Sequence, residues 1–592
     1  MKNSAVFVVF LLVFCVGAFF RFWLITEIPL GLFPDEAMNG NNAREALETR
    51  DFKVFYTENN GREGLFINIQ AISLALFGNE PWALRMVSAA FGTATIIAFF
   101  LLTYEMFFYS GAAASAAALA RGAGTVPPQG GERRERVSSK SSLGILNVRG
   151  EAAAPIIALL SSFFLAASFW HINFSRIGFR AILVPFFSAF AMYFLLTGLR
   201  RGNAFALVWA GIFAGLGFHT YIAFRFMPFV FAVPIVWHAR QWWKRDTNIR
   251  MHANDTNKKQ CAPCLAALFT FITFIAALPI GWYFLNHSQD FFGRTGQVSV
   301  LSAEAPLVEF MKSNLITAQM FFFAGDCNGR HNYACMPELH PIVAAFFLVG
   351  LWTILRRVFK KTPNSELPTT PLLLSWLLAM SLPATLTREG LPHALRAIGM
   401  IPPVMILAGF GAWTTLNAVL QWFEKQKEKF PQHLGQLMRI RRELGFLLLL
   451  VLVLIPLATY RDYFQRWAFH PNTYFAFSTD VAHIGEYLAA LPQDIKKIVV
   501  TELPLPELTE VGTPAQTVMF LTDSYTDRGR REKNIDYLTR GQIENLSSLV
   551  QNQKTTIALF NGNRRELIKN LQKKFPELRV KVPGDFVVLE SF

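Results

Sequence analysis

Residues 33–68 read FPDEAMNGNNAREALETRDFKVFYTENNGREGLFIN, directly after an apolar stretch, 5–26, long enough to cross a membrane. Two adjacent acids (Asp35, Glu36), a segment that reads as an Asn-rich turn and a second charged group (Glu58, Arg62, Glu63) lie where charge is costly. Ionisable residues beside a bilayer usually line an aqueous site and serve function. The sequence around this stretch therefore has to supply both a membrane domain and a reason for the charges.

The composition supplies the membrane. The chain has 592 residues, 52% hydrophobic and only 16% charged, against about 25% charged in soluble domains. Apolar runs at 5–26, 82–108, 152–171, 178–199, 204–221, 226–239, 263–286, 341–355, 369–387, 396–416 and 444–461 predict about eleven transmembrane helices. The first run has no small-residue cleavage site after it and reads as a retained anchor. A net charge of +15 fits a nucleic-acid binder, but the charge is distributed differently. Basic residues gather in alternate loops, such as 109–151 (Arg121, Arg133, Arg134), Arg200 and Arg201, 240–259, Arg356 and Arg357, and 425–442. By the positive-inside rule those loops are cytoplasmic, as is the N-terminus; no basic-aromatic patch supports nucleic-acid binding.

That parity tests the segment 64–78, GLFINIQAISLALFG. At 1.5 Å per residue it reaches only about 22 Å, short of the roughly 30 Å hydrocarbon layer. It is expected to lie along the outer interface, with Phe66, Ile69 and Leu76 in lipid or protein and Asn68 and Ser73 toward water. Residues 27–81 then form one outer loop, 287–340 another, and 109–151 a flexible cytoplasmic insertion without the strand and helix that a phosphate-binding loop needs. Beyond 461, short apolar runs at 497–501, 517–522, 555–560 and 585–591 read as strands, and 541–552 and 563–573 as helices. Together they predict an extracytoplasmic α/β domain over 462–592. Cys327 and Cys335 are close enough in an outward loop for a bridge, which the spacing leaves open. Cys261 and Cys264 form a CxxC without the partners a zinc site needs, and Cys15 is expected in the core.

The outward side, near span ends, also carries His171, Arg176, Arg180, His219, Arg225, Asp326, Arg330, His331, Arg388, His393 and Arg396. Such a ring suits an anionic, membrane-resident substrate, since guanidinium groups bind phosphate bidentately. Each member has a plainer role: Arg176 and Arg180 suit snorkelling to headgroups, and Asp35 after Pro34 suits a helix start. A helix start accounts for one acid and not for two.

One span, an outer DE pair, a basic residue before an interfacial helix ending in LFG, and WALRMVSAAFG opening the next span resemble the GT-C glycosyltransferases. The likeness extends to the RHN loop at 330–332 and to PHALRAIGMIPP at 392–403. It is nearest to the protein O-mannosyltransferase and lipid A aminoarabinose transferase group. The resemblance implies a GT-C-type α-helical polytopic membrane protein, residues 1–461, with an outer α/β domain. It also implies transfer of a sugar from a polyprenyl-phosphate-linked donor to a lipid, glycan or protein acceptor at the outer face of a bacterial inner membrane. Asp35 then matches the catalytic acid of the first loop and Glu36 its partner. Arg62 stands where relatives place a phosphate-binding Lys, though REG replaces their KP. Donor contacts are expected from Arg62, Glu63, Arg85, Arg176, Arg180, Arg330, His331, His393 and Arg396. No compact His/Asp/Glu set is visible, so no metal is assigned, although the chemistry leaves room for a divalent ion. The rival reading, a flippase of lipid-linked sugars, should show internal repeats and broken spans in matching halves; none is apparent. A receptor or scaffold would make the carboxylates incidental.

Overall fold

The computed structural model describes residues 3–122, 144–249, 261–291, 299–359, 369–544, 554–560 and 564–591. Among these, eight helices are long and apolar enough to cross a membrane: Asn3–Phe22 (α1), Pro81–Phe108, Arg180–Arg201, Ile222–Lys244, Ala262–Asn286, Pro341–Phe359, Ile398–Lys429 and Pro431–Trp467. The spans expected at 152–171, 204–221 and 369–387 are also helical, but their apolar parts are shorter: Ala153–Ala166, Ala204–Gly217 and Thr369–Thr385. Turns or a short helix follow the first two and carry His171 and Thr220. The chain is an integral membrane protein whose outward-turned faces are apolar, as at Phe7, Leu12, Phe274 and Trp282. Lipid, not water, suits such faces.

Several expectations are corrected. Cys15 is exposed on α1 and not in the core. Of the insertion expected at 109–151, 109–122 continue the helix from Pro81 (α4) to Gly122 and 144–151 open the helix Gly144–Ala166; 123–143 lie outside the described residues. Helix Gly64–Phe77 (α3) is short as expected, with Phe66 buried and Leu76 71% exposed. Ser73 does not face water: it is buried and its hydroxyl donates to the Ala83 carbonyl at 2.6 Å. Asn68 is half-buried, accepting from the Tyr56 hydroxyl at 2.9 Å and donating to the Lys53 carbonyl. Both CxxC cysteines are joined to each other, as are Cys327 and Cys335.

The C-terminal part holds a five-stranded sheet in the order β4–β3–β5–β7–β6, from Lys496–Thr501 (β3), Ile535–Thr539 (β4), Thr555–Leu559 (β5), Arg579–Lys581 (β6) and Val587–Glu590 (β7). A two-stranded ribbon, Phe55–Tyr56 (β1) with Arg62–Glu63 (β2), precedes it in the first loop. Strands β4, β3 and β5 are parallel, whereas β7 runs antiparallel to β5 and β6 antiparallel to β7. Alternate residues face opposite cores, as a pleated strand requires. Val499, Tyr537 and Val588 pack with Val518 and Met519 on one side, and Ile498, Ile557 and Leu589 with Leu567 and Leu571 on the other. The run at 517–522 is not a strand but the end of helix Pro514–Leu521. Short apolar runs do not separate the two by periodicity, and Pro514 at the first turn favours the helix. Strand β4 was not foreseen. The helix expected at 541–552 is described only as Arg540–Glu544, the rest lying outside the described residues, and that at 563–573 is Arg564–Lys574.

Helix Pro34–Thr49 (α2) takes in the Asn-rich segment, which is therefore not a turn. It is a polar helix that is buried along most of its length, because helix Pro514–Leu521 docks on it. At Gly40 a Cβ would lie 2.4 Å from the Phe520 ring, so only glycine admits that ring. Beside it, Asn41 donates to the Gln516 side-chain oxygen at 2.7 Å, and Thr517 to the Leu32 carbonyl at 2.9 Å. Arg44 pairs with Asp523 and Asn79 donates to it at 2.8 Å. The C-terminal sheet is thereby held against the first loop by buried hydrogen bonds that each need a partner.

Candidate active site

The two adjacent acids part company because consecutive residues on a helix point about 100° apart. Asp35 is half-buried and faces a cavity of about 430 Å³. Glu36 is fully buried and turns the other way, its carboxylate accepting from Arg85 Nε at 2.9 Å and from the Gly178 amide at 3.0 Å. Arg85 also donates to the Pro29 and Gly31 carbonyls. Glu36 and Arg85 thus pin the start of α2 and neither lines the cavity. Arg176 is buried as well, donating to the carbonyls of Phe20, Arg21 and Ile28 and stacking under Tyr463 and Phe464. The expected donor contacts from Arg85 and Arg176, and a catalytic role for Glu36 at the cavity, have no geometric support: backbone carbonyls and each other already occupy these groups.

The remaining expected residues meet around the cavity: Asp35, Arg62, Glu63, Arg180, Arg330, His331, His393 and Arg396. Arg225, Asp290, Tyr221 and Asn39 join them. Among the described residues five arginines face three carboxylates there, a surplus of positive charge in a partly apolar cleft that favours an anion.

Each arginine is held by partners that set its direction. Arg62 is buried; it donates to Asn39 Oδ1 at 2.8 Å and Asn42 Oδ1 at 2.6 Å. Burial, then the charge of Arg180, lowers its pKa to about 10, leaving it charged at neutral pH. Glu63 accepts from Arg180 Nε at 2.9 Å and lies 3.8 Å from Arg225, so it orients two guanidinium groups instead of repelling the anion directly. Arg330 lies 3.8 Å over the Phe33 ring and donates to Asn328 at 3.2 Å; burial lowers its pKa. Arg396 donates to Thr387 Oγ1 at 2.7 Å. Asp35 accepts one hydrogen bond, from Asn59 Nδ2 at 2.9 Å. Asn39 and Asn42 went unrecognised in the sequence, though an Asn pair in an otherwise good helix former was a usable signal.

His331 and His393, which line the cavity, and Asp326 beside them place one ligand atom each within 4.8 Å of one another, although the sequence shows no compact set. His331 Nδ1 lies 2.8 Å from Asp326 Oδ2, which also accepts from the Ala394 amide at 2.9 Å. His393 Nδ1 is 3.9 Å from the same oxygen and has no hydrogen-bond partner among the described residues. Two imidazoles and a carboxylate fit a divalent ion of the zinc type, and the orphaned His393 nitrogen agrees with that. Burial lowers both histidine pKa values, His393 the further. Burial raises the Asp326 carboxyl, but hydrogen bonding and charge from His331 outweigh it and leave it below the ordinary value.

The backbone course is found in solved structures. ArnT from Cupriavidus metallidurans, crystallised with undecaprenyl phosphate, matches with a TM-score of 0.54 at 14% identity, over 100% of this chain and 99% of that one. Its apo form matches with a TM-score of 0.50 at 13% identity. The chain has the ArnT fold. ArnT is a GT-C fold protein, so the fold expectation holds from α1 through the C-terminal sheet. No protein-family model matches the sequence, and no curated protein matches it. An oligosaccharyltransferase from Archaeoglobus fulgidus is more distant, with a TM-score of 0.44 at 13% identity over 91% of this chain and 69% of that one.

Proposed function

We propose that this protein transfers a sugar from a polyprenyl-phosphate-linked donor to a hydroxyl on a lipid, glycan or protein acceptor, at the outer face of the membrane. One observation carries the reading: Asp35, a first-loop carboxylate that, unlike Glu63, is not tied up by an arginine, faces a cavity lined by five arginines among the described residues, on an ArnT-like scaffold. Attack at the anomeric carbon needs a base for the acceptor proton, and Asp35 takes that part. The C–O bond to the lipid phosphate then breaks, and charge grows on that phosphate. Arg62, Arg330 and Arg396, fixed by their own hydrogen bonds, stabilise it without reorganising. The undecaprenyl phosphate held in the ArnT crystal is the chemistry such a ring suits.

If a divalent ion is present, Asp326, His331 and His393 would hold it, and it would act as a Lewis acid toward the donor phosphate. In the same reading the chain divides into a membrane part, 1–461, and an outer unit, 462–592, that covers the site, in a bacterial inner membrane with the N-terminus cytoplasmic. The flippase alternative lacks support, since the charged residues converge on one end of the helices and not at mid-membrane. The test is purified protein in lipid nanodiscs with a polyprenyl-phosphate sugar and envelope extract as acceptor. Release of free polyprenyl phosphate with sugar appearing on the acceptor is expected; an intact donor under all conditions would remove the transferase reading.

A further inference from the structure

A second cavity, of about 160 Å³, lies wholly within the C-terminal part. It opens at the carboxyl ends of parallel strands β3 and β5. The chain leaving β3 runs to β4 on one flank, and the chain leaving β5 runs to β6, at the far edge beyond β7, on the other. Crevices at such a reversal are where open α/β sheets bind ligands. Its polar lining is Thr501, Glu502, Thr513, Arg540 and Arg564, and Asp480 lies near enough to Arg564 to act on its charge. Arg564 Nε is fixed by the Phe560 carbonyl at 3.2 Å, while its Nη2 and the Thr513 hydroxyl are buried and have no hydrogen-bond partner among the described residues. The lining also includes the starts of helices Pro514–Leu521 and Arg564–Lys574, where the positive end of the helix dipole favours negative charge. The volume is below the roughly 300–1,000 Å³ of sites for drug-sized ligands, so one anionic group fits and a nucleotide does not.

The segment 502–513, which follows β3, bounds this crevice through Leu503, Leu508 and Thr513. Its other face rests on the catalytic loop. A Cβ at Gly512 would lie 2.4 Å from Asp35 Oδ1, and the Glu510 carbonyl accepts from the amide of Asn59, the residue that holds Asp35. We propose that the crevice binds a phosphate-like anionic group and that its occupancy fixes the 502–513 strap against Asp35. This goes beyond the transferase reading and does not depend on it.

The test uses the full chain in nanodiscs of zwitterionic lipid, titrated with inorganic phosphate in one arm and dihexanoyl phosphatidate in the other. Hydrogen exchange is followed across 502–513 and 58–61. Saturable binding that slows exchange in both segments is expected, and Arg564→Gln should weaken it by about tenfold or more, as loss of a charge-assisted bond does. Arg564→Lys should fall between. Binding in both arms indicates recognition of the phosphate itself; binding only in the second indicates a lipid headgroup. No binding in either arm, or binding that survives Arg564→Gln unchanged, as it would in the larger cavity, overturns the site. Binding without protection of 502–513 overturns the coupling to Asp35.

Discussion

Glu36→Gln should destabilise the protein, whereas Asp35→Asn, one residue away, should not. The Glu36 carboxylate is fully buried and compensates Arg85, whose side chain is 2% exposed, through contacts at 2.9 and 3.3 Å. Removing one partner of a buried ion pair leaves the other charge uncompensated at a cost of about 3–5 kcal/mol. The Pro29 and Gly31 carbonyls stay with Arg85, which places the cost near the lower end. Asp35→Asn keeps an oxygen to accept from Asn59 and forfeits only a charge at the first turn of a helix, about 0.3–1 kcal/mol. The two variants should therefore differ by at least about 2 kcal/mol when unfolding in mixed micelles is followed by SDS titration. A companion variant, Glu36→Leu with Arg85→Met, removes both charges and should recover part of the loss, because apolar replacement of a buried pair is often near neutral. Equal midpoints for Glu36→Gln and Asp35→Asn would refute the assignment of Glu36 to structure.

Other outcomes follow from the same geometry. Arg62→Ala should weaken donor binding at least about tenfold, the worth of a charge-assisted bond, and Arg62→Lys should restore part of it; unchanged binding in both would take Arg62 out of the site. Gly40→Val should loosen the C-terminal part from α2, since its side chain would collide with the Phe520 ring, and limited proteolysis near 502–513 should accelerate. Burial lowers the pKa of His331 and His393 in the folded protein. Their contribution to stability is therefore present above the unfolded value of about 6.5 and lost as pH falls below it, by up to about 1.4 kcal/mol per pH unit for each. The unfolding midpoint should drop between pH 7 and 5, and His393→Gln should flatten that drop.

The membrane spans were legible because lipid demands long apolar helices, and hydropathy measures that demand directly. The same logic separated α3 from the true spans by length. What hydropathy does not report is side-chain direction, so Glu36 stood beside Asp35 as its partner although adjacent helix positions point about 100° apart. Arg85 and Arg176 were indistinguishable from Arg62 for the same reason: backbone carbonyls that satisfy a buried guanidinium leave no trace in the sequence. The metal-compatible group went unseen because His393 comes from a different loop than Asp326 and His331. The helix at 514–521 was misread because its apolar residues serve two surfaces, the sheet through Val518 and Met519 and α2 through Phe520, which erases the one-sided period of a surface helix.

The central claim is that Asp35 handles the acceptor proton. Transfer from a polyprenyl-phosphate sugar, measured with purified wild-type and Asp35→Asn protein at matched folding and donor binding, tests it most directly. Positioned acid–base groups contribute about 10²–10⁴-fold, so the variant should lose at least about 100-fold in turnover with donor affinity unchanged. An Asp35→Asn enzyme that turns over within a few-fold of wild type would contradict the account.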